Sequence, residues 1–95
     1  MSVFFMANIN IHDPAEYQKY LNRSEEIFAR YKGTYLAVDD KPVVLEGEWN
    51  FNRVVLIRFE NQEEFDAWYY SENYQEILKY RLTASEGDTI LIHGN

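Results

Sequence analysis

Apolar residues recur along this chain at two spacings, and the switches between them mark its elements. Val3, Phe5, Ala7, Ile9 and Ile11 alternate, while Phe4 and Met6 make the other side apolar too, which predicts a strand over Val3 to Ile11. His12-Asp13-Pro14-Ala15-Glu16 reads as a helix start, with Asp13 as N-cap, Pro14 at the first helical position and Glu16 closing a capping box. Behind it Tyr17, Tyr20, Leu21, Ser24, Ile27, Phe28 and Tyr31 recur at helical steps on one face, and Gly33 stands where a left-handed C-terminal cap belongs. Thr34 to Val38 is a short strand and Asp39-Asp40-Lys41-Pro42 a turn or bend. Val43 to Trp49 reads as extended, either continuing the previous strand or folding back on it. Asn50-Phe51-Asn52 turns the chain into a strand from Arg53 to Phe59. Asn61 caps a second helix with Glu64 as its box partner, and Ser71 is a second N-cap that breaks this helix near Ser71-Glu72. The helix restarts towards Ser85, and Gly87-Asp88 turns into a last strand, Thr89 to His93.

The order β-α-β-β-α-β predicts an α+β fold: a ferredoxin-like antiparallel sheet of four strands with its helices on one face. In that topology the first and last strands are antiparallel neighbours. His12 and His93 then fall at opposite ends of the sheet and cannot form a metal pair within one chain. Two helices cover only one face, yet Phe4, Met6, Val54 and Leu56 make the other face apolar as well. That face is expected to meet another sheet in a homodimer, a dimeric α/β barrel.

Ninety-five residues are expected to make one domain, 1–95, with one small core. Nine Lys plus Arg against sixteen Asp plus Glu leave a net charge of −7, which repels phosphate backbones and anionic lipid, so neither nucleic acid nor membrane is an expected partner. Cysteine is absent, which removes disulfides, thiol nucleophiles and Cys-based metal sites. The opening segment lacks the basic start of a signal peptide and no apolar run is long enough to span a bilayer, so a cytoplasmic location is expected. No histidine pair, facial triad, EF-hand loop, phosphate-binding glycine loop or dinucleotide fingerprint is present, and neither metal nor cofactor is expected.

One residue disturbs the second helix. At about 100° per residue, Tyr74, Ile77, Leu78, Arg81 and Leu82 share a stripe, and Arg81 points within roughly 20° of Tyr74. A guanidinium inside an apolar face requires a carboxylate, a bound anion or a route to water. Arg81 is therefore read either as an anion anchor in a pocket wall, holding a carboxylate or enolate, or as half of a buried salt bridge to Glu46 or Glu48. Glu46, beside Gly47, is either a general base or that partner, and His12 is either a base at a strand end or an ordinary loop histidine. Tyr17, Tyr20, Trp68, Tyr69 and Tyr74 either line an aromatic pocket for a flat organic ligand or fill an aromatic core. Arg53 is read as a surface ion pair and Ser71 as a cap.

Asp13-Pro14-x-x-Tyr17-x-x-Tyr20, Gly33, Glu46-Gly47-x-Trp49, Arg53, and Trp68-Tyr69-x-Ser71-x-x-Tyr74 followed by Arg81 resemble domain-of-unknown-function family 1330, of the dimeric α/β-barrel superfamily. The likeness runs in register over nearly the whole chain. It departs at Lys32-Gly33, where the family often has a glycine pair, and at Glu60, where it often has proline. The resemblance implies a homodimer of α+β barrels and supplies no catalytic residue. The wider superfamily holds cofactor-free monooxygenases, isomerases, haem-degrading enzymes and ligand-sensing domains. Two function classes follow. One is a small-molecule pocket protein acting as a cofactor-independent oxygenase or isomerase; the other is a non-enzymatic dimeric binding or regulatory module.

Overall fold

The computed structural model describes residues 1–95. Its elements are β1 (Val3–Ile11), α1 (Pro14–Phe28), β2 (Thr34–Asp39), β3 (Arg53–Phe59), α2 (Gln62–Tyr69), α3 (Glu72–Ala84) and β4 (Ser85–His93). The strands form one antiparallel sheet in the order β2-β3-β1-β4, the ferredoxin-like arrangement. None of the helices is long and apolar enough to cross a membrane.

The period-two pattern of β1 sets which face is covered. Val3, Phe5, Ala7 and Ile9 are buried beneath the helices with Ile57 and Phe59 of β3, while Phe4 and Met6 on the opposite face are only half-buried. That opposite face continues into Ile90 and Ile92 of β4, both exposed. Trp68 of α2 sits in the middle of the core, stacked on Phe59 and edge-on to Phe5 and Phe28. Fully burying a side chain of this size is worth several kcal/mol, on the order of 3–5 by truncation, so this tryptophan fixes α2 on the sheet. His93 pairs with Val3 while the His12 N–H donates to the Ala84 carbonyl, which puts the two histidines at opposite ends of the sheet.

Helix starts follow the capping residues. The Asp13 carboxylate accepts the Glu16 N–H at 3.1 Å, and the Asn61 side chain accepts the Glu64 N–H at 2.9 Å. The box at α1 is not closed by Glu16, whose carboxylate pairs with Lys19 at 2.7 Å, and the Asp13 N–H donates instead to the Ala84 carbonyl at 3.1 Å. That bond ties the start of α1 to the end of α3.

Three local expectations fail for reasons of tertiary packing. Val43 to Trp49 forms no strand: it has no ladder partner, and Val43 and Leu45 are almost fully exposed. Apolar composition alone does not make a strand when no neighbour supplies hydrogen bonds. Gly33 is not a left-handed cap, since the only positive φ belongs to Gly47 at 86°. A Cβ at Gly33 would lie 2.6 Å from Phe28 and 2.7 Å from Phe59, so glycine is needed there to let two core rings close. Gly87 lies inside β4, which starts directly from α3 at Ser85. Its missing side chain makes room for the Asn8 carbonyl of β1.

Candidate functional site

Helix α1 lies along α3 and meets β2 through Phe28, whose ring centre is 4.4 Å from that of Tyr35; every residue of β2 remains exposed. Between α1 and the sheet this leaves a cavity of about 340 Å³. Its floor includes Ala7, the smallest side chain in the helix-facing row of β1, and the aliphatic Ile9, Val55 and Ile57. Tyr17, Tyr20 and Ser24 come from α1, Tyr35 and Val38 from β2, Trp68 from α2, and Tyr74 and Arg81 from α3.

The break between α2 and α3 places the last three. Ser71 Oγ donates to the Trp68 carbonyl at 2.8 Å and accepts the Tyr74 N–H at 3.1 Å, so one hydroxyl ends α2 and caps α3. The Trp68 and Tyr74 rings then lie 4.3 Å apart. Two turns further along, Arg81 enters the same cavity and is 5% exposed. At the end of that helix the Ser85 hydroxyl donates to the Arg81 carbonyl.

Arg81 has no carboxylate partner: none of the ion pairs in the structure includes it. Its Nε is enclosed without an acceptor, and its guanidinium lies 5.9 Å from the centre of the Tyr20 ring. The Tyr20 and Tyr74 hydroxyls are hydrogen-bonded at 2.8 Å. Burial pushes the Tyr20 hydroxyl well above its ordinary pKa, with the adjacent Tyr74 adding to the rise. Burial also raises Tyr74 and Tyr17; Arg81 pulls the first part of the way back, and Arg53 and Arg81 the second. Burial alone would depress Arg81, but the surrounding tyrosine oxygens hold it above its ordinary value. At neutral pH the wall is a permanent cation ringed by protonated phenols, an arrangement rich in donors.

The indole Nε1 of Trp68 is likewise enclosed without an acceptor. Tyr69 is outside the cavity wall and packs behind it, 5.5 Å from Tyr74. Glu46 and His12 are exposed and neither lines the cavity. The expected Arg81–Glu46 and Arg81–Glu48 ion pairs are not formed within the chain, because the segment carrying both glutamates is not laid against the sheet.

Arg53 forms the acid pair expected of it but reaches further inward than a surface pair. It is half-buried: its side chain is 19% exposed, lines the cavity and lies 5.9 Å from the Tyr17 ring. Its Nη1 donates to Asp40 at 2.7 Å, as an acid pair should, but its Nε is enclosed and unpaired. The sequence does carry a signal, since Arg53 precedes Val55, Ile57 and Phe59 by two-residue steps on the same face of β3. Asn52 fixes that position by continuing the ladder, exchanging side-chain hydrogen bonds with the Ile11 N–H at 2.8 Å and its carbonyl at 3.0 Å.

A buried cation without a counter-ion is a cost to the empty fold, so Arg81→Met should leave stability unchanged or raise it by about 1–4 kcal/mol; a large loss on denaturant unfolding would mean that Arg81 is paired. The phenols of the wall make a second expectation, at alkaline pH. A phenol whose pKa is raised by folding contributes stability that is complete below the unfolded value of about 10 and lost as pH rises through the folded values. Burial raises Tyr20 well above that value and raises Tyr17 and Tyr74 as well. Melting temperature should fall above pH ~10, with tyrosinate absorbance appearing late, and Tyr20→Phe should reduce the late fraction; a melting temperature flat through that range contradicts this.

No curated protein matches the chain. Among solved structures it is similar to RPA0582, a protein of unknown function from Rhodopseudomonas palustris, at 15% identity and a TM-score of 0.81, covering 99% of this chain and 82% of that one. It is similar to SnoaB, a cofactor-independent oxygenase from Streptomyces nogalater, at 17% identity and a TM-score of 0.70, covering 99% and 93%. A dimeric ferredoxin-like protein of unknown function from Jannaschia sp. CCS1 is similar at 6% identity and a TM-score of 0.73, covering 99% and 100%. At such identities the likeness concerns the fold, which is ferredoxin-like. Over residues 2–95 the sequence matches the family described as Domain of unknown function (DUF1330), and the chain belongs to that family.

Proposed function

We propose that this protein binds a small anionic organic molecule in the cavity between α1 and the sheet, with Arg81 as the anion anchor. The observation that carries this reading is a guanidinium 5% exposed, with no carboxylate partner, at the wall of a 340 Å³ cavity. A buried charge left without a partner is expensive. A carboxylate, phenolate or enolate would accept from the guanidinium and from the Tyr20–Tyr74 hydroxyl pair, while Trp68, Tyr74, Tyr17 and Tyr20 would enclose its ring. The volume is at the low end of the ~300–1,000 Å³ usual for ligand pockets, which suits a ligand of one or two rings.

Of the two function classes, a binding module accounts for the wall as it stands, because Glu46 and His12, the candidate proton acceptors, are exposed outside it. The oxygenase reading is favoured by the similarity to SnoaB and by a donor-rich wall that would stabilise a substrate already ionised to its enolate or phenolate. Benzoate should quench the fluorescence of Trp68 on binding, and Arg81→Met should weaken that binding by roughly 10–100-fold, the worth of a charge-assisted hydrogen bond. Equal affinity in the variant would remove Arg81 from the site. Oxygen uptake with quinol and phenol substrates that is lost in Arg81→Met would decide for the enzyme, and binding without turnover for the module.

The reading includes a homodimer working in the cytoplasm. Phe4, Met6, Leu56, Ile90 and Ile92 form an apolar patch on the sheet face that no helix covers, and the similar Jannaschia protein is dimeric. Ile90→Lys, on the edge strand of that face, should shift the particle from twice the chain mass to one chain in light scattering. A wild-type protein that is already monomeric at micromolar concentration would overturn the assembly.

A further inference from the structure

Two guanidiniums, not one, face the cavity. Arg81 enters from α3 and Arg53 from the head of β3, and both line it. They are set apart by the rings of Tyr17 and Tyr20, whose centroids are 5.5 Å from each other: Arg53 lies over the first ring and Arg81 over the second. Arg53 also lines an adjoining recess of about 320 Å³ with Ile11, Asp40 and Asn52, so it stands at the junction of the two spaces. Asp40 takes one Nη of Arg53 from the side of that recess, and Asp40 itself is largely exposed. The Nε edge of the Arg53 fork has no acceptor. One acidic side chain lines the larger cavity, Glu25; it is exposed on α1 and pairs with neither arginine.

This local balance runs against the whole chain, whose net charge is −7. An acidic protein that turns two arginines inward, one unpaired and the other half-paired, has built a cationic interior. A ligand with a single acidic group would satisfy Arg81 and leave the second fork open. Extending the reading of Arg81 as an anion anchor, on which this inference rests, we propose that the cavity is built for a flat aromatic dianion. One oxygen group sits on Arg81, and a second, across the ring, on the free edge of Arg53, as in benzenedicarboxylates. Arg53 is then the residue that separates dianions from monoanions, and Asp40 holds its fork in place while the cavity is empty.

The test is a fluorescence titration of the full chain carrying Trp49→Phe, which leaves Trp68 as the reporter, with benzoate and the three benzenedicarboxylate isomers at low salt. At least one isomer should bind about 10-fold or more tightly than benzoate, the worth of one further charge-assisted contact. Arg53→Gln should abolish the preference of that isomer over benzoate, bringing the two affinities together; Arg81→Gln should weaken both. Asp40→Asn, which keeps Arg53 and frees its fork, should retain or increase the preference, and serves if Arg53→Gln does not fold. No isomer exceeding benzoate, or a preference that survives Arg53→Gln, overturns the dianion assignment while leaving the anion pocket intact. Failure of benzoate and every isomer to bind overturns both.

Discussion

At residue 71 a single hydroxyl holds two helices in one bend, and the site is built around it. It donates to the last turn of α2 and accepts from the first turn of α3, so the two axes meet at a fixed point. Upstream of that point Trp68 is locked among Phe5, Phe28 and Phe59. Downstream, the register of α3 is set: Tyr74 against the indole, then Ile77 and Leu78 into the core, then Arg81 into the cavity. A continuous helix would rotate Tyr74 and Arg81 away from this direction by the angle that the break absorbs. The position of the cation is therefore a consequence of the helix cap at Ser71, several turns earlier in the chain.

The cavity exists because the helices do not cover the sheet evenly. Helix α1 is tied to α3 by the Tyr20–Tyr74 hydroxyl contact and, at its start, by the Asp13 and His12 N–H bonds to Ala84. Its contact with β2 is made by Phe28 on Tyr35. The space left over is walled by residues that are apolar in body and polar at the tip, which is how a pocket can stay enclosed and still present donors. The acidic surface surrounds this interior without neutralising it, since Asp40 pairs with Arg53 from outside and Glu25, at the cavity's edge, is exposed and pairs with neither arginine.

Much of the fold can be read from local pattern. The bounds of β1 and β3, the caps at Asp13, Asn61 and Ser71, and the position of Arg81 on the buried stripe of α3 all follow from spacings within a few residues. What cannot be read depends on contacts between distant segments. Gly33 suggests a cap until the Phe28 and Phe59 rings are seen closing over it, and Gly87 suggests a turn until the Asn8 carbonyl of β1 is found against it. Val43 to Trp49 carries strand-forming residues but finds no partner strand, so Glu46 stays away from Arg81. Arg53 is obscured because an arginine at a strand end is ordinarily a surface residue, and only the packing of Tyr17 over it reveals its inward aim.

Ala7 has an effect out of proportion to its size. It stands in a row of large neighbours, Phe5 and Ile9, at the floor of the cavity, and is itself 2% exposed. The depth of the floor is thus set in part by one methyl group on a central strand, while the charged groups above it sit on other elements. Capacity and recognition are carried by separate parts of the chain, so a descendant could admit a bulkier or slimmer guest by exchanging this residue without disturbing the cationic grip.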